Sequence, residues 1–310
     1  MSENLIDLIL GIADGRLIHF TINDEKSKPQ IVELIPKTNK YTTAVLRVLK
    51  IDEYYCIPSA GGTVNIWKCQ DNQWQHYKEL EIIYREDHKT NWEVTAIDND
   101  DEYLYTGSPK GIVEIWNIKE DFEKVDEISY NKNPISGILV NDEAIFYGAG
   151  GGRFIALNKE DRSEIHNETF PWTKYTIQNM IMCGDFLCIA LTGRVFSYYF
   201  DKVGLKVEKK AEFPNTHNRV KGMYMSGNIC YSAAWDGIIG AWDIINSKPA
   251  LAINTNCSLE SICADDEFIY AGGHHGELII IKRGKKYKVK HTIQFGREVK
   301  CIIPSQFIIN

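Results

Sequence analysis

Short apolar runs, bounded by Gly, Asp, Asn or Pro, recur along the chain. The clearest set reads Val94-Thr-Ala-Ile97, an acidic turn from Asp98 to Glu102, Tyr103-Leu-Tyr-Thr-Gly107, a short Ser-Pro-Lys, and Gly111-Ile-Val-Glu-Ile-Trp116. Runs of this length between turn residues predict three short strands joined by tight connections. Alternation of apolar and polar positions is imperfect in the third run, which is expected when both faces of a strand are packed.

The same order of runs returns through the whole chain. Its glycine-led piece is found at Gly15 to Phe20, Gly62 to Trp67, Gly111 to Trp116, Gly152 to Leu157, Gly193 to Tyr198, Gly237 to Trp242 and Gly276 to Ile281. In all seven a large apolar anchor stands five residues after the glycine, and an apolar residue stands two after it: Leu17, Val64, Val113, Phe154, Val195, Ile239 and Leu278. An upstream strand starts at Val45, Val94, Ile135, Ile177, Val220 and Leu259, each with an apolar partner three residues on. The start lies 17 residues before the glycine in five cases and 16 in the case of Ile177. Successive glycines are 47, 49, 41, 41, 44 and 39 residues apart, close to the period of a four-stranded propeller blade. A fourth strand follows each anchor, for example Lys124 to Tyr130 and Lys288 to Phe295.

These runs predict an all-β chain: one domain over residues 1–310, a seven-bladed β-propeller of four-stranded antiparallel blades, closed by strands from both termini. Val299-Lys-Cys-Ile302 would be the first strand of the closing blade. Two segments compete to be its second strand, Leu8-Ile-Leu-Gly11 and Phe307-Ile-Ile-Asn310. The N-terminal copy is favoured, because it places a glycine four residues before Gly15 as Gly272 stands before Gly276.

Gly111-Ile-Val-Glu-Ile-Trp-Asn117 and Gly237-Ile-Ile-Gly-Ala-Trp-Asp243 resemble the WD40-repeat β-propeller family, with Gly62 to Trp67 nearly as good. Asp87-His88-Lys-Thr-Asn-Trp-Glu-Val94 looks like the family's His-containing loop. The resemblance covers nearly the whole chain. It departs in having one Trp-Asp ending and no Gly-His before a strand, so the family's His–Asp network is not carried over. Apolar packing must then hold most blades. Trp116 and Trp242 are expected to pack between blades. The resemblance implies a protein-interaction scaffold and no enzymatic activity.

The formal charge of −7 argues against a surface devoted to nucleic acid or anionic membrane, and leaves room for a local basic patch. The N-terminus lacks a basic signal-peptide region, and no apolar run has the length of a spanning helix. A cytoplasmic location, with the nucleus as the alternative, is the expectation. The eight cysteines form no Cys-x-x-Cys pair and read as buried reduced thiols; no metal or cofactor is expected.

Catalytic signatures are weak. Gly148-Ala-Gly-Gly-Gly-Arg153 resembles a phosphate cradle but leads into a strand, so a tight turn is expected. The acidic groups Asn99 to Glu102, Asn141 to Glu143 and Asp265 to Glu267 sit between first and second strands, where Asn and Asp serve turns. His19 is read as a satisfied core histidine. Cys183 and Cys188 flank one hairpin, where facing each other is one arrangement open to them, and no redox role is expected. A propeller enzyme with a metal in its central channel is the least favoured class, since no inward acid repeats.

Two features point to binding. Loops before the first strands and before the glycines should open on one face, gathering Trp92, Trp172, Tyr175, His217, Arg219, Trp235, His274 and His275, with Lys110, Arg153 and Arg194 near the rim. Aromatic residues and Arg are enriched in binding hot spots, and loops on a rigid scaffold carry function. A protein or peptide partner, within a multi-subunit complex, is the leading expectation. The second feature is the basic hairpin 282–291, with Lys282, Arg283, Lys285, Lys286 and Lys288. Nucleic acid or phosphoinositide is its alternative ligand, and protection of an edge strand is its structural use. The paired-arginine motif of lipid-binding propellers is absent.

Overall fold

The computed structural model of the chain describes residues 6–23, 27–37, 44–59, 62–71, 73–82, 94, 96–129, 133–171, 177–214, 218–284 and 287–307. Among them are seven sheets of four antiparallel strands. Blade 1 joins β1 (Ile6–Ile12), β2 (Leu17–Ile22) and β3 (Gln30–Ile35) to a strand from the other end of the chain. Blade 2 holds β4 (Leu49–Ile51), β5 (Tyr54–Pro58), β6 (Thr63–Gln70) and β7 (Gln73–Glu81). Blade 3 holds β8 (Ile97–Asn99), β9 (Tyr103–Gly107), β10 (Ile112–Asn117) and β11 (Glu123–Ser129). Blade 4 holds β12 (Ile135–Val140), β13 (Ala144–Ala149), β14 (Arg153–Asn158) and β15 (Glu164–Thr169). Blade 5 holds β16 (Asn179–Cys183), β17 (Phe186–Leu191), β18 (Arg194–Asp201) and β19 (Lys206–Pro214). Blade 6 holds β20 (Val220–Ser226), β21 (Ile229–Ala234), β22 (Ile238–Asp243) and β23 (Lys248–Asn254). Blade 7 holds β24 (Leu259–Ala264), β25 (Phe268–Gly273), β26 (Glu277–Lys282) and β27 (Lys288–Gln294), and β28 (Val299–Pro304) completes blade 1 in the order β28-β1-β2-β3.

The expected closure is therefore present, and the N-terminal segment supplies the second strand: Leu10 pairs with Ile302 and Gly11 with Cys301. Ser305–Phe307 forms a short 3-10 turn, while residues 308–310 of the competing copy lie outside the described residues. Two first strands begin later than their apolar starts. The Val45 N–H donates to Ile12 O (3.1 Å) and the Val94 N–H to Ser59 O (3.5 Å), so each backbone is bonded to the preceding blade before it joins its own ladder. β16 also begins after Ile177, for which nothing in the structure gives a reason.

Packing explains why the apolar runs are unbroken. The core divides into seven clusters, one in each gap between neighbouring blades. Alternate residues of a middle strand serve opposite gaps: Leu8 and Leu10 pack toward blade 7, and Ile9 toward blade 2. Both faces of a blade are thus interior, and every residue of β13 is buried. Trp116 lies between blades 2 and 3, and Trp242 between blades 5 and 6, where it stacks on Phe213 at 5.6 Å.

The repeated glycine has a backbone cause. Gly15, Gly62, Gly111, Gly152, Gly193, Gly237 and Gly276 all have φ between 71° and 95°, a region that favours glycine. A second glycine, four residues earlier in four blades, answers to close approach. A Cβ on Gly11, Gly107, Gly148 or Gly272 would run into Val45, Ile135, Ile177 or Val299, the first-strand start of the next blade.

The acidic turns work as the sequence suggests. Asp100 Oδ1 accepts from the N–H groups of Glu102 (2.8 Å) and Tyr103 (2.6 Å), and its Oδ2 from the Tyr105 hydroxyl (2.8 Å). Asp265 repeats this with Glu267, Phe268 and Tyr270, and Asn141 caps Glu143 and Ala144. Residues 150–152 are a tight turn between β13 and β14, as expected of the glycine-rich segment.

Two smaller expectations are corrected. His19 is half-buried rather than a core residue, and its Nε2 lies 2.7 Å from Asp7 Oδ1. The strand register explains this: His19 pairs with Ile9 in β1, and Asp7 is its diagonal neighbour. Cys183 and Cys188 do not face each other, because the tight hairpin pairs Cys183 with Phe186 and Cys188 with Ile181. Cys188 is buried and instead accompanies Cys230 across the gap to blade 6, where the neighbouring thiol and burial push the Cys230 thiol well up; Cys183 is exposed.

Candidate functional site

In an antiparallel blade the first strand starts at the end where the second stops and the third begins. Val220 accordingly pairs with Ala234, and Leu259 with Gly273. The loops on either side of these positions open on one face. The Trp235 N–H donates to Arg219 O (3.0 Å) and the His274 N–H to Ser258 O (2.8 Å), which fixes loop to loop. Four of the eight expected site residues, Arg219, Trp235, His274 and His275, meet here. Trp92, Trp172, Tyr175 and His217 lie outside the described residues, as do Lys285 and Lys286.

The cluster is organised by a residue that the sequence reading did not single out. Glu260, buried at the start of β24, accepts from Trp235 Nε1 (2.9 Å) and meets His274 Nδ1 (2.7 Å) at Oε1, while Lys300 Nζ stands 3.3 Å from Oε2. Burial alone would push its carboxyl up. The Lys300 charge, the His274 bond, the Lys221 charge and the indole N–H outweigh that and hold it below the ordinary glutamate value. The half-buried indole of Trp235 is thereby fixed at one edge, and its ring lies 5.8 Å from that of His274. Arg219 and Lys221 stand over it, with Cζ at 5.4 Å and Nζ at 5.1 Å from the ring centroid, within cation–π reach. His275 is exposed and lies edge-on to His274 at 5.4 Å.

Backbone irregularity turns these side chains inward. Between first and second strands the register skips one residue in four blades: Ser136, Lys221, Glu260 and Lys300 are each passed over by the pairing. A bulged residue leaves the alternation of its strand, and its side chain is re-aimed. All four line the central channel, a cavity of about 350 Å³. The position two residues after the apolar start staples the ring in three blades, with Arg47 donating to Ile97 O, Asn179 to Lys221 O and Ser261 to Val299 O. The signal that could have found Glu260 is a charged residue directly after an apolar first-strand start, at Lys221, Glu260 and Lys300 alike.

Other candidates are engaged elsewhere. Arg153 donates to Asn167, and Arg194 pairs with Glu212, both on the fourth strands of their own blades. In the basic hairpin Arg283 donates to Asp265 O and lies over Tyr231, Lys282 lies over Phe268, and Lys288 is exposed opposite Lys282. Among the described residues no three His, Cys, Asp or Glu side chains converge as a metal site would need, and no helix is long and apolar enough to cross a membrane.

This architecture is a seven-bladed propeller, a fold shared with solved WD40-repeat structures. The yeast Saccharomyces cerevisiae Sqt1 superposes with a TM-score of 0.68 at 11% identity, over 96% of this chain and 85% of that one. The RRP9 WD40 repeats give 0.67 at 10% identity over 85% and 84%, and the computationally designed Ika8 protein 0.67 at 15% identity over 97% and 87%. No family model matches the chain. By sequence it is similar to two Lotus japonicus proteins, "Putative E3 ubiquitin-protein ligase" LIN-1 and LIN-2, at 20% identity over 281 and 233 residues, or 87% and 72% of this chain. It spans only 18% and 15% of the length of those relatives.

Proposed function

We propose that this propeller is a non-enzymatic scaffold that binds a protein or peptide partner on the face where its first strands begin. The observation that carries the reading is Trp235, half-buried, fixed by Glu260 and flanked by Arg219, Lys221 and His274 at the mouth of a channel. A rigid aromatic beside cations is the composition of an interface hot spot, and orienting it before binding lowers the ordering cost of association. The WD40-type neighbours give this reading its precedent in fold. The ligase name of the plant relatives belongs to proteins several times longer than the matched region, so a place within a larger assembly is the part of that likeness we adopt. The basic hairpin ranks below this face because Lys282 and Arg283 are already engaged within the chain.

The test is co-purification of the full chain from its native source, comparing wild type with Trp235→Ala and Arg219→Glu by mass spectrometry. Both variants should melt as the wild type does to within a few degrees and should lose a shared set of partners. Arg219 is exposed, so its reversal guards against a loss due to misfolding. Retention of every partner by both variants would remove this face from consideration. Binding of an oligonucleotide or phosphoinositide vesicle that weakens steeply with salt and disappears when Lys285 and Lys286 are replaced by Glu would favour the hairpin instead.

A further inference from the structure

We infer that the channel mouth is a carboxylate receptor, and that its occupant is an Asp or Glu side chain of an extended acidic peptide crossing the face over Trp235. The inference rests on the proposed partner-binding face and specifies the chemistry of what it holds.

Charge around the mouth is one-sided. The residues that follow the first-strand starts are Leu46, Ser136 and Gln178 on one arc, and Lys221, Glu260 and Lys300 on blades 6, 7 and 1. The single carboxylate of the charged arc is fully used: one oxygen takes Trp235 and His274, the other Lys300. Arg219 and Lys221 make no direct ion pair among the described residues and rest on the indole face, although the Lys221 charge also favours ionised Glu260. Among the described residues that line the channel, the charged ones are Arg47, Lys221 and Lys300 against Glu260, with Arg219 beside them over the indole, in a chain whose formal charge is −7. Arg47, which also lines the channel, lies near the buried carboxyl of Asp98, which burial pushes up and the Arg47 charge opposes.

Such a surplus has a structural cost, since the bulges hold like charges on one side of a confined opening. An incoming anion would relieve it. Glu260 decides which anion. Its carboxylate repels a dianionic phosphate more strongly than a monoanionic carboxylate. The cations beside Glu260 are the Lys221 and Lys300 point charges, since Arg47 is already bonded to Ile97 O, and neither offers the planar fork that grips a phosphate bidentately. A polynucleotide would bring its repeated phosphates against a molecule of net negative charge. A peptide supplies one carboxylate for Lys221 and Lys300 and apolar backbone and side-chain surface for Trp235.

The experiment titrates the full chain with a fluorescein-labelled hexaglutamate peptide and reads anisotropy at low and physiological salt. Hexaglutamine, hexaphosphoserine and oligothymidylate serve as competitors. Hexaglutamate should bind, weaken with added salt and be displaced by neither hexaglutamine nor oligothymidylate. Lys221→Gln should weaken it by about tenfold, as the loss of one charge-assisted contact implies, whereas Lys221→Arg should retain it and Lys288→Gln should leave it unchanged. Lys221 forms no direct ion pair in the fold but its charge helps keep Glu260 ionised, so Lys221→Gln and Lys300→Gln are each read beside their thermal melts, and Lys221→Arg separates charge from shape. Failure of hexaglutamate to bind better than hexaglutamine would overturn the inference, as would binding unchanged in Lys221→Gln or stronger competition by hexaphosphoserine or oligothymidylate. If partners are lost in Trp235→Ala while hexaglutamate does not bind, the face stands and the carboxylate receptor falls.

Discussion

Trp242 and Glu260 show what single side chains contribute to this ring. Trp242 is buried in the gap between blades 5 and 6 and stacks on Phe213. Truncation to Ala would empty a volume that rigid strands on both sides cannot refill, so Trp242→Ala should cost about 3–5 kcal/mol in a urea titration. A loss under about 1 kcal/mol would mean that the gap collapses around the missing ring. Its role was legible, because an aromatic anchor five residues after a repeated glycine is a core signal. Glu260 was not legible in the same way. Its charge directly after an apolar strand start is the one local sign of the register skip, and its partners Trp235, His274 and Lys300, from two other loops and another strand, leave no local pattern. Its depressed pKa gives a directional test. A carboxyl held below its unfolded value, about 4.3, stabilises the fold above that value and loses the contribution as pH falls through the folded one. Melting temperatures of the wild type and Glu260→Gln should therefore differ most near pH 7, where His274, Lys221 and Lys300 face an ionised group, and converge as the pH falls through the lowered folded value. A gap that does not change with pH would assign Glu260 a purely steric role.

At the scale of elements, the strands and turns were read from sequence because each has a local cause. The positive φ of the seven glycines and the Asp or Asn caps of the turns are properties of the residues themselves. Strand starts were placed less well, since Val45 and Val94 are bonded across a blade gap and no local pattern encodes a partner in another repeat. The turn at Asp265 supplies a prediction. Its Oδ1 accepts two backbone N–H groups and its Oδ2 the hydroxyl of Tyr270, whose acidity burial and the Asp265 bond both suppress. Asp265→Ala should cost about 1.5–3 kcal/mol, and Asp265→Asn clearly less, because an amide oxygen still caps the turn as Asn141 does in blade 4. Equal losses in chemical denaturation would show that charge, rather than acceptor geometry, holds the turn. Gly272 tests the blade gap instead. A Cβ there would stand 2.6 Å from Val299 O, so Gly272→Ala should wedge blade 7 from β28 and cost about 1–3 kcal/mol.

For the whole molecule the question is how a ring of similar blades becomes one cooperative unit. The seven-fold count was legible because the spacing between glycines stays near one blade period. The ends were ambiguous because two apolar segments carry similar composition and only tertiary pairing chooses between them. The choice made, with Ile6–Ile12 inside blade 1 and Val299–Pro304 on its channel side, joins the two ends of the chain through one sheet. β28 also packs on both neighbours: Val299 and Ile302 lie in the gap to blade 7, and Cys301 in the gap to blade 2. Burial of three such side chains stabilises the fold by roughly 5–8 kcal/mol, on the order of the net stability of a whole domain. Removing residues 299–310 should therefore abolish the cooperative thermal transition rather than lower its midpoint by a few degrees. A synthetic peptide of residues 299–307, added in trans, should restore a transition whose midpoint rises with peptide concentration, as binding to the folded state alone requires. A truncated chain that still melts cooperatively near the wild-type temperature would show that six complete blades and an open seventh are self-sufficient, and that the shared blade is not what closes the ring.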